Sequence, residues 1–339
     1  MDSPKTIVIE ARESGTSTGR YVDKLVEHLH KLDSKHKYIV LAKPHRVAFF
    51  KKIAPKFKTV ECQYKEFTFA EQIGLLKQLN KLKPDLTHFT MVQQPIFYRG
   101  KTVTTMNDLT TVRFREPSKS TPVYIIKWYV YRWVNKIVAR KSTALLTFTE
   151  FVKDDVAKYA HVNSRKITPI YLGANEIIAK AEPVEGLEGQ RFIMYIGRSF
   201  VHKNLPRLID AFALIRQSHP GLRLVLAGKY DDLYKRIDKF AQQKGIKNIV
   251  FTDFVSEGQL RWLYENTSAY VFPSLSEGFG LPGLEAMIAG APVVSSNATC
   301  LPEVYKDGAE YFDPYDVEDM AAAITRVLDD EKLRASLVR

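Results

Sequence analysis

The sequence predicts two doubly wound, Rossmann-like α/β domains facing each other across a cleft. Three observations carry that expectation. Strand-like runs alternate with helical stretches along nearly the whole chain. Several of those runs are near-continuously apolar, as a parallel sheet covered on both faces requires. The alternation pauses once, at "GANEIIAKAEPVEGLEGQ" (173–190), then restarts, and 339 residues exceed what one core comfortably holds. The expected division is a domain over 1–175, a linker over 176–190 and a domain over 191–339. Ligands of such folds sit at the carboxyl ends of the strands.

Taken in order, "TIVIE" (6–10) reads as the first strand and "GRYVDKLVEHLHKL" (19–32) as the helix after it. "KYIVLA", "KTVECQ", "LTHFT", "KTVTTM", "ALLTFT" and "KITPIYL" follow as strands. After the pause come "RFIMYIG", "LRLVLAG", "NIVFTD", "AYVFPS" and "APVVSS" as strands. "NLPRLIDAFALIRQ", "QLRWLYENT" and "LPGLEAMIAG" lie between them as helices, the last with Pro282 tolerated in its first turn and Gly290 as its stop.

Hydrophobic residues make up 45%, which excludes a disordered chain, and no apolar run approaches the roughly 20 residues that span a bilayer. "MDSPKTIVIE" runs straight into a strand with no signal peptide, so a cytoplasmic location is expected. Cys62 and Cys300 are the only cysteines; they suit a reducing compartment and make no metal framework. The net charge of +12 is uneven. Residues 1–180 hold 32 Lys and Arg against 16 Asp and Glu, and the rest hold 18 against 22. The basic half faces an anionic partner or is simply a solvated basic surface. No recognised nucleic-acid motif is present, so no nucleic-acid partner is expected.

Four stretches carry candidate chemistry. In "SLSEGFGLPGLEAM" (274–287), Glu277 lies on the loop leaving a strand tip, and Glu285 near the positive end of the following helix. Acids in an apolar, glycine-bearing setting need partners, and polyol hydroxyls donate hydrogen bonds without cancelling the charge. In "YIGRSFVHKNLPRLIDAF" (195–212), Arg198 and Lys203 precede a helix with Asn204 as its N-cap, an arrangement that suits a diphosphate. The same two cations also read as plain surface charge. In "ESGTSTGRYVDKL" (13–25), Gly15 and Gly19 lie in a strand-to-helix turn that brings amides to a phosphate or just makes the turn. In "TTMNDLTTVRF" (104–114), Asn107 and Asp108 follow a strand, to touch substrate or to cap the next segment.

Together these stretches resemble the retaining glycosyltransferases of the GT-B fold, in the group-1 or family-four class. The resemblance rests on Glu277 and Glu285, separated by seven residues, on "GRSFVHKN", and on "TSTGRYV". It runs in order along essentially the whole chain. It implies that Glu277 contacts the donor sugar, with the amides of Phe279, Gly280 and Leu281, and that Glu285 holds the ribose. It implies that Arg198 and Lys203 neutralise the diphosphate, that Gly19 approaches it from the other domain, and that the base lies near Lys229 and Phe254. It further implies transfer of a hexose with retention, from a UDP-, GDP- or dTDP-sugar to a glycan or lipid-linked saccharide, with no cofactor or metal required.

Two departures stand out. The family usually has His-Asp where this chain has Asn107-Asp108, and asparagine cannot carry charge at neutral pH. The chain stops at "EKLRASLVR", where relatives usually continue into a helix that crosses back to the first domain. One more segment, "PVYIIKWYVYRWVNKIVARK" (122–141), bears on the acceptor. Ile126, Val130, Trp133 and Ile137 make one stripe, Arg132, Lys136 and Arg140 another. It reads as a helix lying on an anionic membrane surface, peripheral at its inner face, or more plainly as a core helix with a basic solvent face. The alternatives to a transferase are a sugar-nucleotide epimerase on the same fold and a catalytically silent nucleotide-sugar-binding subunit.

Overall fold

Apolar β-branched runs become the central strands because a parallel sheet packed on both sides leaves them no wet face. The computed structural model describes residues 3–115 and 122–338. It folds as two units, one holding the chain to Val112 and the later stretch ending at Tyr171, the other holding Leu172 onward with a short piece that begins at Arg113.

The first unit has strands β1 (Thr6–Glu10), β2 (Lys37–Ala42), β3 (Lys58–Glu61), β4 (Leu86–Phe89), β5 (Thr102–Thr105), β6 (Ala144–Thr147) and β7 (Ile167–Pro169). They pair in parallel in the order β3-β2-β1-β4-β5-β6-β7. Val8 and Ile9 of β1 are fully buried, on opposite faces of the pleat, in two separate apolar clusters.

The second unit has β8 (Phe192–Ile196), β9 (Arg223–Ala227), β10 (Ile249–Phe251), β11 (Ala269–Phe272), β12 (Val293–Ser296) and β13 (Ala309–Phe312). Their order is β10-β9-β8-β11-β12-β13, again parallel. The order reverses between β8 and β11, which makes the crevice beyond their carboxyl ends the ligand position of a doubly wound sheet. Phe192, Tyr195, Phe212, Tyr270 and Phe272 pack its core.

Residues between β7 and β8 form neither helix nor strand, yet they are not loose. Val184 and Leu187 enter the second unit's core, the Glu182 amide donates to Gly258 O at 3.0 Å, and Arg261 donates to the carbonyls of Ile177 and Ala179.

The helix Pro122–Lys141 packs on the core of the first unit, but not by the stripe that the sequence singles out. Its core-facing residues are Asn135, Val138 and Ala139, with Tyr131 and Val134 packed alongside. The stripe of Ile126, Val130 and Trp133 points to solvent instead, because one side of a helix is enough to cover the sheet. Among the described residues no helix is long and apolar enough to cross a membrane.

Candidate active site

Two strand tips of the second unit build the site. β8 ends at Ile196 and, through Gly197, hands over to the turn Val201–Lys203, from which the helix Leu205–Ser218 starts. β11 ends at Phe272 and hands over to the loop that carries Glu277 and then to the helix Leu281–Ile288. The two loops are stitched together. The Leu275 amide donates to His202 O at 2.7 Å, and Lys203 Nζ donates to Glu277 Oε1 at 2.5 Å. Lys203 and Glu277 are mostly buried, with side chains 18% and 13% exposed. The structure thus brings together the cation assigned to the phosphate and the acid assigned to the sugar.

Asn204 occupies the cap position but does not act as the cap the sequence suggested. Its φ of +60° turns the side chain away from the helix amides. Its Nδ2 donates to Pro273 O at 3.1 Å and to Pro314 O at 2.7 Å. The effect is to clamp the β8 turn to the loop after β11 and to leave the first amides of the helix without a side-chain cap.

Glu277 is held from behind. Its amide donates to Thr299 Oγ1 at 3.1 Å, and Cys300 Sγ donates to its carbonyl at 3.3 Å. Gly280 begins the following helix with a φ of +92°, and a Cβ there would lie 2.5 Å from Tyr305 Oη, so both backbone and space demand glycine. Tyr305 donates to Gly280 O at 2.5 Å. Phe279 and Gly280 are buried and Leu281 is half-buried, so the amide-bearing turn is fixed from below. Glu285 is buried on the same helix.

Arg198 lies half-exposed, with its Nη2 2.8 Å from Asp231 Oδ2 and its guanidinium 5.2 Å above the Phe200 ring. Asp231 is also the N-cap of the helix Asp232–Gln243. Tyr234, in that helix, donates to Gly197 O at 2.8 Å. The Lys229 loop is therefore drawn against the β8 tip. It also bridges to the Phe254 loop through Gly228 and Asp253, and Lys229 and Phe254 are both exposed. Burial, with Lys203 beside it, pushes His202 down to about 4, so it is neutral at pH 7 and leaves Lys203 as the charged group of that turn.

Gly19 and Asn107 sit in the first unit. A Cβ on Gly19 would fall 1.8 Å from Glu13 O, so the turn itself requires glycine. The Gly19 amide donates to Thr16 Oγ1 at 3.0 Å. Tyr21 Oη and Thr105 Oγ1 stand 3.3 Å apart, which ties the helix after this turn to the end of β5 just before Asn107. Asn107 Nδ2 donates to Met91 Sδ at 3.1 Å, and its buried Oδ1 has no protein partner. Among the described residues no cluster of three or more His, Cys, Asp or Glu is placed to hold a metal ion.

Sequence reasoning missed Asp231, Thr299 and Tyr305. Asp231 had a signal, since an acid ahead of "LYKRI" marks a helix start. Tyr305 had none, because its contact with Gly280 spans 25 residues.

Comparison with known proteins bears on the family and the fold. The family model described as Glycosyl transferases group 1 matches residues 178–339, and the one described as Glycosyltransferase Family 4 matches residues 18–176. The chain is 32% identical over 216 residues to the serotype-specific mannosyltransferase WbdA of Escherichia coli, which covers 59% of this chain and 26% of that one. It is 29% identical over 222 residues to the O-antigen chain mannosyltransferase RfbU of Salmonella typhimurium, covering 65% of this chain and 61% of that one. The chain thus spans about a quarter of one relative's length and 61% of the other's. Among solved structures, Anabaena HepE in complex with UDP and glucose superposes with a TM-score of 0.72 at 16% identity, over 98% of this chain and 92% of that one. Sucrose-phosphate synthase from Thermosynechococcus elongatus gives 0.71 at 18% identity, over 99% and 92%. At such identities the likeness is one of fold.

Proposed function

The chain belongs to the group-1 glycosyltransferases and has their GT-B fold, and from that premise we propose that it moves a hexose from a nucleotide-diphosphate sugar to a hydroxyl acceptor, with retention at the anomeric carbon. The observation that carries the reading is the Lys203–Glu277 contact at the β8 and β11 tips. It sets a cation suited to phosphate beside an acid suited to sugar hydroxyls, near strand tips where a doubly wound sheet receives its ligand.

In this reading Glu277 and the amides of Phe279, Gly280 and Leu281 hold the sugar, and Glu285 holds the ribose hydroxyls. Arg198 and Lys203 bind the diphosphate and stabilise the charge that grows on it as the glycosidic bond breaks. Lys229 and Phe254 border the base, and Gly19 and Asn107 are taken as further substrate contacts. The anomeric carbon–oxygen bond to the phosphate breaks, the acceptor oxygen bonds the same face of that carbon, and the acceptor proton passes to the departing phosphate oxygen. Such a step asks for no metal and no side-chain base, so asparagine at 107 leaves it intact.

The N-terminal unit takes the acceptor, a glycan or lipid-linked saccharide, and its excess of Lys and Arg fits a peripheral position at an anionic membrane. Because the named relatives are mannosyltransferases and a structural neighbour holds UDP with glucose, donors of both sugars belong in the first panel. Thermal-shift measurement against UDP-, GDP- and dTDP-sugars identifies the donor, since a ligand of the native state raises apparent stability. Slow donor hydrolysis by the wild type and none by Glu277→Ala supports the transferase. Tight donor binding without turnover on any acceptor would make the chain a silent binding subunit instead.

A further inference from the structure

We propose that the helix Pro122–Lys141 and the neighbouring turn at Phe67–Phe69 form one docking face for an anionic lipid bilayer, in which apolar side chains enter the acyl boundary and flanking cations meet headgroup phosphates. The inference deepens the peripheral association proposed above and rests on none of the donor-site assignments.

The helix has two apolar sides where folding needs one. Val138 and Ala139 belong to the core of the first unit. On the opposite side Val123, Ile126, Val130 and Trp133 are 62%, 63%, 51% and 57% exposed. They recur every three or four residues and so form a single stripe. One exposed apolar residue is ordinary, whereas an aligned row ending in a tryptophan marks a surface that meets something.

The cations lie where an interfacial helix needs them. At about 3.6 residues per turn, Lys127 falls on one flank of the stripe and Lys136 on the other. Lys136 packs over the Tyr159 ring at 5.0 Å, so its stem is laid along the shoulder of the helix. No acid occurs anywhere in the sequence between Glu116 and Glu150. A second copy of this chain would set these like charges against each other. A bilayer containing acidic lipid matches both the row and its flanks.

The Phe67–Phe69 turn adds a second point of entry. Phe67 stands edge-on to Tyr131 of the helix, with ring centroids 5.7 Å apart, and Phe69 is 86% exposed. The turn is anchored, since the Phe67 amide donates to Glu71 Oε2 at 3.1 Å and Glu71 Oε1 accepts from Arg12 at 2.7 Å. Arg12 is buried and bonded in turn to Glu10 of β1. Two phenylalanines are thereby presented outward on a rigid support.

The test is sedimentation of the full chain with vesicles of phosphatidylglycerol and phosphatidylcholine, and with phosphatidylcholine alone. Quenching of Trp133 by brominated lipid is read alongside, against a Trp133→Phe control. We expect partitioning to the acidic vesicles with quenching. Ile126→Glu with Trp133→Glu should lose about a hundredfold, Phe69→Glu about tenfold, and Lys127→Glu at least fivefold. These positions are exposed, and unchanged melting of each variant verifies folding. The quenching needs no variant that removes the stripe. Partitioning unaffected by the stripe variants overturns the proposal, as does salt-reversible binding without quenching, which would be charge alone. A concentration-dependent doubling of mass abolished by Trp133→Glu overturns it in favour of self-association. Loss in the stripe variant with none in Phe69→Glu overturns the turn's part in the face.

Discussion

Lys203 and Glu277 neutralise each other across 2.5 Å, on two loops that leave different strands. In the proposed reaction they serve different parts of one donor, so binding must redistribute this pair. Phosphate oxygens compete for Lys203, and the carboxylate repels them. Glu277→Gln should therefore bind a bare nucleoside diphosphate about two- to fivefold more tightly than wild type, the size of a partly exposed ion pair. Sugar transfer should fall about a hundredfold or more, because the sugar loses a charged acceptor. Calorimetry with the diphosphate and turnover with the sugar nucleotide separate the two effects. Weaker diphosphate binding in the variant would mean that Glu277 supports Lys203 rather than opposing its ligand.

Lys203→Ala reads the other partner. A charge-assisted contact to phosphate is worth about 1.5–3 kcal/mol, or about ten- to a hundredfold in affinity. That loss should appear for the nucleoside diphosphate and be absent for the nucleoside. Equal loss for both ligands would remove Lys203 from the phosphate site.

Asp231 performs two tasks, capping the helix Asp232–Gln243 and pairing with Arg198. Asparagine caps about as well as aspartate, so Asp231→Asn keeps the first task and cancels the second. We expect its melting temperature to stay close to wild type and its diphosphate affinity to rise by a fewfold as Arg198 is released. If affinity falls, Asp231 is aligning Arg198 for the ligand.

Strands were legible wherever burial forced a short apolar run between turn residues, as in "FIMYI" and "AYVF". β13 was not, because "AEYF" carries a glutamate and pairs on one side only, as an edge strand. The site was legible in its residue types and strand tips, since Glu277, Arg198 and Lys203 fall beside the glycines that follow β8 and begin a helix after β11. Their pairing was not legible. Lys203 meets Glu277 from 74 residues away, and Asn204 gives its side chain to Pro314, 110 residues on. The side of the helix Pro122–Lys141 that faces the core was equally hidden, because valines, isoleucines and aromatic residues occupy both sides and periodicity alone does not choose between them.

His88 supplies a stability test that bypasses the ligand. It lies on β4 with Nε2 2.9 Å from Thr105 Oγ1, and burial pushes it down to about 4. In the unfolded chain a histidine titrates near 6.5. Between those values the unfolded state binds the proton and the folded state does not, so stability present above about pH 6.5 is lost as the pH falls toward 4. A displacement of that size is worth at most about 3 kcal/mol. His202, also pushed down to about 4, contributes with the same sign. His88→Gln removes one of the two titrations. Its melting temperature should be lower than wild type at pH 7.5, where a well-packed ring is lost, and should then fall less steeply between pH 6.5 and 5. Carboxylates common to both proteins cancel in the comparison. Parallel curves for the two proteins across that window would mean that His88 takes up its proton without unfolding, and that the polar bridge from β4 to Thr105 is open to water.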